Sequence, residues 1–192
     1  MQAAATASAS FASLQNTILA EVQQTLSTIR EEQIEQATQM ILAARRVFLT
    51  GAGRSGLALR MAAMRLMHLG LTVHFAGEVT APAIATGDLL IVASGSGTTA
   101  SAVHAAEVAR KNNAQVLCYT TSPESPLARL AQGVIVIPAQ TKQDHAGVRS
   151  AQYSGALFEQ SVLLASDAIF QMLWQASGKS AEDLWSRHAN LE

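Results

Sequence analysis

From Val47 onward, five short apolar runs alternate with helical stretches, and no other feature constrains the fold as tightly. The runs are Val47-Phe48-Leu49, Leu71-Thr72-Val73-His74-Phe75, Leu89-Leu90-Ile91-Val92-Ala93, Val116-Leu117-Cys118-Tyr119 and Val134-Ile135-Val136-Ile137. Each is short and largely uninterrupted, as strands buried on both faces should be. The segments between them, Gly56 to Leu69, Thr99 to Lys111 and Pro126 to Ala131, read as helices. Gly70 is placed to end the first of them, since a glycine past a helix takes the left-handed turn without cost. Strand–helix alternation of this kind builds right-handed crossovers. The expected fold is α/β, a three-layer sandwich with a parallel sheet of about five strands flanked by helices.

Two helical patterns precede the first strand. Phe11, Leu14, Ile18, Val22 and Leu26 form one stripe of a helix, with spacings of three and four. A capping box, Thr28 to Glu31, opens a second pattern through Ile34, Ala37, Ile41 and Ala44. A helical hairpin ahead of the sheet is expected to serve as an oligomer-forming arm. After Pro138 come a polar loop, Thr141 to Ser150, and a long helix over about Tyr153 to Ser177, carrying Leu157, Leu164, Ala168 and Met172. A short helix, Ser180 to Arg187, comes last. The expected organisation is a disordered tail (1–10), a helical arm (11–46) and a sheet domain with C-terminal helices (47–192), one structural domain overall.

Composition narrows the function. Charged residues make up 14% of the chain and hydrophobic ones 49%, against about 25% charged in ordinary soluble domains. A surface with so little charge suggests subunit contacts. The 13 basic and 14 acidic residues disfavour a nucleic-acid partner gripped by bulk charge. No apolar run approaches the roughly 18 residues of a membrane span. The lone cysteine, Cys118, forbids an intrachain disulfide and suits a reducing compartment, so a cytoplasmic location is expected. Met1 to Ser10 carry no charged side chain and no long apolar stretch, so neither a secretory signal nor a transit peptide fits.

Two strand-to-helix loops carry the chemistry. The first is Gly51-Ala52-Gly53-Arg54-Ser55-Gly56. Its glycines let backbone N–H groups approach a ligand, and the helix start beyond it favours an anion. The spacing matches the dinucleotide fingerprint. The acidic residue expected about 20 positions on is absent, because His74 and Phe75 occupy that stretch and Glu78 lies beyond Gly77 in a loop. The second loop is Ser94-Gly95-Ser96-Gly97-Thr98-Thr99, with four hydroxyls and two glycines. It can surround a phosphate, yet lacks the lysine of a triphosphate-hydrolysing loop. Two such loops at strand carboxyl ends mark a crevice for one anionic small molecule.

With these loops the chain resembles the sugar isomerase (SIS) domain family of phosphosugar-binding α/β proteins. The finer match is to the 6-phospho-3-hexuloisomerase family. It rests on Gly51 to Gly56, Met64-Arg65-Leu66-Met67-His68-Leu69-Gly70, Gly77-Glu78, Ser94 to Thr99, Gly155-Ala156-Leu157-Phe158-Glu159 and the ending Arg187-His188-Ala189-Asn190-Leu191-Glu192. The resemblance covers roughly Val47 to Glu192. It implies interconversion of 3-hexulose 6-phosphate and fructose 6-phosphate in the ribulose monophosphate route of formaldehyde fixation. It also implies a single domain, a tetramer, no metal, no cofactor and a metabolic link to a 3-hexulose-6-phosphate synthase.

Such a reaction moves a carbonyl between neighbouring carbons through an enediol. It needs a base for a carbon-bound proton, a shuttle between two oxygens and exclusion of water. The resemblance makes Glu159 the base. His188, brought by a neighbouring subunit, is the expected shuttle, since an imidazole titrates near neutral pH. Gly53, Arg54, Ser55, Glu78, Ser94, Gly95, Ser96, Gly97, Thr98 and Thr99 are the candidates for holding substrate, with Ser55, Ser94, Ser96 and Thr99 on the phosphate. His68, beside Met64 and Met67, and the regularly spaced Met61, Met64 and Met67 read as core or interface packing. Arg65 reads as an ion-pair partner. His74, His104 and His145 show no metal-ligand spacing. The rivals are another isomerase of the family, such as arabinose 5-phosphate isomerase, and a sugar-phosphate sensor. The first would carry further C-terminal modules and the second a helix-turn-helix domain ahead of the sheet. Neither is expected, the stretch before Val47 being short and not basic: Arg30, Arg45 and Arg46 stand against Glu21, Glu31, Glu32 and Glu35.

Overall fold

The computed structural model describes residues 10–140 and 150–191. The anticipated tail and polar loop, His145 and Glu192 therefore lie outside the described residues, apart from the loop's last residue Ser150 and from Ser10. The Ser10 hydroxyl accepts the Ser13 N–H at 3.2 Å and caps α1 (Phe11–Leu26). The next helix, α2 (Glu31–Ala43), begins without a side-chain cap. The Thr28–Glu31 capping box is not formed. The Thr28 hydroxyl instead donates back to the Thr25 carbonyl at 2.7 Å, closing the end of α1, and a hydroxyl so engaged is turned away from the start of α2.

The remaining elements are β1 (Val47–Gly51), α3 (Gly53–His68), β2 (Val73–Phe75), β3 (Leu89–Ala93), α4 (Ala100–Lys111), β4 (Gln115–Thr120), α5 (Pro126–Leu130), β5 (Gly133–Val136), α6 (Ala156–Ser177) and α7 (Ala181–Trp185). All five strands are parallel, in the order β2-β1-β3-β4-β5. Their residues alternate between two cores, as the period of two requires. Val47, Leu49, Leu89, Ile91, Leu117 and Tyr119 face α2, α3 and α6. Phe48, Leu90, Val92, Val116 and Cys118 face α4 and α5. This two-sided burial is what uninterrupted apolar runs encode.

Two sequence boundaries shift for local reasons. The first sheet helix starts at Gly53, three residues before the expected Gly56. Gly53 has a φ of +56°, so the chain turns directly from strand into helix and the glycine loop becomes the helix's first turn. At the other end, the Gly70 N–H donates to Met67 O and the Leu71 N–H to Leu66 O, closing the expected glycine stop. The long helix begins at Ala156 rather than Tyr153, because Gly155 adopts φ +87° immediately before it.

The helical segment before the sheet divides in two. Ala37, Met40 and Ile41 of α2 are buried in the core, and its Gln36 side chain donates to Gln132 O at 2.8 Å beside β5. That helix is a covering layer of the sheet. α1 packs on α6 through its second half, while Phe11, Leu14 and Leu19 are exposed. Among the described residues, no helix is long and apolar enough to cross a membrane.

Candidate active site

The chain leaves β1 toward one edge of the sheet and β3 toward the other, so a crevice opens between their carboxyl ends. Both glycine-containing loops empty into it. The loop after β3 is built by its own hydroxyls. Ser94 Oγ accepts the Gly97 N–H at 3.2 Å and lies 2.9 Å from Thr99 Oγ1. Ser96 Oγ accepts from the Thr98 hydroxyl at 2.9 Å and the Thr98 N–H at 3.3 Å. The Gly95 carbonyl is fixed by the Thr121 N–H at 2.9 Å and the Thr121 hydroxyl at 2.8 Å. Gly97, at φ +64°, is required sterically as well: a Cβ there would lie 2.1 Å from Ser125 Oγ. Among the described residues no hydrogen bond engages the N–H groups of Gly95 and Ser96.

A cleft of about 110 Å³ results, lined by Ser55, Ser94, Gly95, Ser96 and Thr99 together with Ala52, Ala93, Gln140, Gly155 and Phe158. Three helices, α3, α4 and α6, start at this wall. Their N-terminal N–H groups and dipoles favour an anion without any lysine. α3 sits close because Gly56 has no side chain; a Cβ there would lie 2.2 Å from Gly51 O. A second hollow, lined by Arg54, Tyr153, Ser154, Ala156 and Glu159, adjoins the cleft across the first turns of α3 and α6. In it the 5%-exposed Glu159 carboxylate accepts the Arg54 Nε–H at 2.5 Å. The guanidinium fixes the carboxylate's orientation beside the anion cleft.

The expected residues therefore fall into three groups. Ser55, Ser94, Gly95, Ser96 and Thr99 line the cleft, Gly53 and Gly97 shape it, and Thr98 braces Ser96 from the exposed side. Arg54 and Glu159 meet next door. Glu78 and His188 lie elsewhere. Glu78 pairs with Arg60 at 2.7 Å in the loop after β2. His188 stacks on buried His68, ring centroids 4.0 Å apart, and lies 4.4 Å from the Trp185 ring. That cluster is at the far end of α3, whose 16 residues span about 24 Å at about 1.5 Å per residue. Burial, then the neighbouring His188 and Arg65, holds the His68 imidazole below its ordinary pKa. Among the described residues, no group of three or more His, Cys, Asp or Glu is placed to hold a metal ion.

Sequence reasoning misses Gln140 and Phe158 as cleft residues. Gln140 is buried in the cleft wall just beyond the end of β5. A polar residue past the carboxyl end of a buried strand is the signal that could have found it.

Known proteins place this geometry in context. The SIS domain model matches residues 40–164, a span that includes both loops and Glu159. The chain is 55% identical over 172 residues to a 3-hexulose-6-phosphate isomerase of Mycobacterium gastri, covering 90% of this chain and 86% of that one. It is 39% identical over 176 residues to a protein of the same name from Bacillus subtilis, covering 91% and 95%. A solved structure from Methanococcus jannaschii, for which a molecular function of 3-hexulose-6-phosphate isomerase was inferred, superposes with a TM-score of 0.80 at 26% identity, covering 93% of this chain and 99% of that one.

Proposed function

We propose that this chain, which belongs to the SIS-domain family, is a 3-hexulose-6-phosphate isomerase that forms fructose 6-phosphate. The observation that carries the reading is one juxtaposition. A hydroxyl-lined cleft at three helix N-termini adjoins a buried carboxylate held by an arginine. The first feature suits a phosphate and the second a carbon acid a few bonds away. The high identity to proteins of that name over most of their length supports the choice of substrate.

In the proposed mechanism Ser55, Ser94, Ser96 and Thr99 hold the phosphate with free backbone N–H groups. Glu159 removes the proton from C2 of the 3-ketose. The electron pair forms the C2–C3 double bond of an enediol as the C3 carbonyl oxygen takes up a proton. Glu159 returns its proton to C3, while the C2 oxygen gives up its hydroxyl proton and becomes the new carbonyl. Arg54 keeps the carboxylate aimed throughout. The oxygen-bound protons need a second group, and His188 of a neighbouring subunit is assigned that step, since its own cluster lies a helix length from Glu159 in the same chain. The substrate would be supplied by an aldol-type condensation of formaldehyde with a pentulose phosphate, the work of a synthase.

The test is direct. 3-Hexulose 6-phosphate is generated in situ from formaldehyde and ribulose 5-phosphate, and fructose 6-phosphate is measured. Turnover supports the reading. Folded protein that binds the sugar phosphate without converting it would favour a sensor instead.

A further inference from the structure

Residues 150–155, which lead into α6, carry no buried apolar side chain. Ala151 and Tyr153 are exposed, Gln152 and Ser154 are half-buried, and Gly155 takes φ +87° at the helix start. This stretch still forms one wall of the site. Tyr153 and Ser154 line the hollow that holds Glu159, and Gly155 lines the anion cleft. One carboxylate from the other end of the chain fixes it. Glu21 of α1 accepts the Ser150 hydroxyl at 2.7 Å and the Gln152 side-chain amide at 3.0 Å on Oε2, and the Ala151 N–H at 2.7 Å on Oε1. Gln152 Oε1 in turn accepts the Gln160 side-chain amide at 2.9 Å. The bonds therefore run from α1, through the loop, to the neighbour of Glu159. Val22 and Thr25 are buried where α1 packs on α6, so Glu21 sits on a fixed support. Burial alone would raise the Glu21 pKa, but the bonds from Ala151, Ser150 and Gln152 hold it below the ordinary carboxylate value.

We propose that Glu21 is a positioning residue of this site: it clamps residues 150–152 to α1 and thereby sets where α6 begins and where Glu159 lies. Hydrogen bonds to an ionised carboxylate are roughly twice as strong as neutral ones. Three of them on one group hold a loop that apolar packing leaves loose. The stakes are large, because a displacement of about 1 Å at a reacting group can cost about 10²-fold in rate. The phosphate-binding hydroxyls sit on α3 and on the loop after β3, so binding depends far less on the clamp than turnover does. No spacing in the sequence announces this role, because 129 to 131 residues separate Glu21 from its partners. The catalytic half of this inference rests on the isomerase reading with Glu159 as base; the clamp does not.

Hydrogen exchange and kinetics separate the two halves. In Glu21→Ala, amide exchange across residues 150–156 should speed up about tenfold or more while exchange in β3 stays as it was. Its kcat should fall about tenfold and its KM for 3-hexulose 6-phosphate should change less than about threefold. Ser150→Ala combined with Gln152→Ala leaves α1 untouched and should produce both effects in milder form. Adding Glu21→Ala to that pair should lower kcat by less than the product of the separate losses, because members of one network do not act independently. Val22→Ala is the structural control. It loosens α1 and lowers Tm but keeps the three Glu21 bonds, so kcat well below that Tm should match wild type. Unchanged exchange over 150–156 in Glu21→Ala and in the Ser150→Ala, Gln152→Ala pair overturns the clamp. Faster exchange with wild-type kcat, or an equal loss of kcat in Val22→Ala, overturns the positioning role. Faster exchange in a protein that never isomerises the sugar phosphate supports the clamp and overturns the proposed reaction.

Discussion

A single carboxylate carries most of the proposed chemistry. Glu159→Gln keeps the side chain's shape and its contact with Arg54 while removing the base. Its kcat should fall by about 10²-fold or more, with KM nearly unchanged. An equal rise in KM would mean that Glu159 only binds substrate. Ser55→Ala and Ser96→Ala should do the reverse, each raising KM by about ten- to a hundredfold, since a hydrogen bond to a charged group contributes roughly 1.5–3 kcal/mol. Unaltered KM in both variants would move the phosphate elsewhere. These hydroxyls are legible in the sequence because each sits in a contiguous loop after a strand. The Arg54–Glu159 pair is not, because 105 residues separate its partners and only the packing of α3 on α6 joins them. Another pair of long reach is purely structural. Asp88 is buried under Arg46, bound at 2.6 Å and 3.0 Å, under Arg45 at 3.2 Å, and by the Ala85 N–H at 2.9 Å. Burial alone would raise its pKa, but the Arg46 and Ala85 hydrogen bonds and both arginine charges hold it below the ordinary carboxylate value. Its ionisation therefore stabilises the fold above its unfolded pKa of about 3.9, and that contribution is lost as the pH falls through the lower folded value. Asp88→Asn should cost about 2–3 kcal/mol at neutral pH and flatten the fall in urea midpoint as the pH drops below the unfolded carboxylate value of about 3.9. An unchanged acid limb would assign acid unfolding to other groups.

At the scale of elements, strands are legible in the sequence and helix starting points only in part. A run such as Leu89 to Ala93 fixes its own identity, because every residue is buried on one face or the other. A helix start depends on what a glycine or hydroxyl meets in space. Thr28 has the spacing of a cap and finds the Thr25 carbonyl first. Ser180, where the sequence places the start of the last helix, meets no such competitor and forms the capping box with Asp183 that opens α7. The helix pair before the sheet reads as one arm in the sequence, and α2 is instead a sheet layer because Ala37, Met40 and Ile41 fill the gap over β4 and β5. The glycine that seats α3 offers the sharpest element-scale test. A methyl group at Gly56 would meet the Gly51 carbonyl oxygen at 2.2 Å, backbone against backbone, with no side chain able to yield. Gly56→Ala should push α3 off β1, destabilise the protein by about 1–3 kcal/mol and raise KM, because Ser55 moves with the helix. Wild-type stability and KM in this variant would show that α3 can slide without disturbing the cleft.

For the whole molecule, a charged fraction of 14% goes with two exposed apolar stretches. One is the face of α3 that carries Leu57, Met61 and Met64. The other is the first half of α1, where Phe11, Leu14 and Leu19 are exposed. We propose that both are subunit contacts; two distinct twofold contacts would close a tetramer, the assembly that the family resemblance implies. The faces should be separable: Leu19→Glu should leave an active dimer by sedimentation, whereas a tetramer that survives the change would remove α1 from the assembly. The deeper test asks who supplies the histidine. Subunits with Glu159→Gln and subunits with His188→Ala, each impaired alone and both carrying Leu19→Glu so that assembly stops at the dimer, are co-expressed with different affinity tags and the doubly tagged dimer is purified. In a dimer that exchanges His188 between its chains, one site draws Glu159 from the His188→Ala chain and His188 from the Glu159→Gln chain, and the other site draws neither. Mixed dimers should therefore recover about half of the wild-type kcat per dimer, because an isologous contact creates two sites and makes one of them whole. If each site were built within one chain, no combination of these two chains could contain a complete site, and the mixed dimers would be as slow as their parents. That outcome would withdraw His188 from the neighbouring site and leave Glu159 and Arg54 to act there without it.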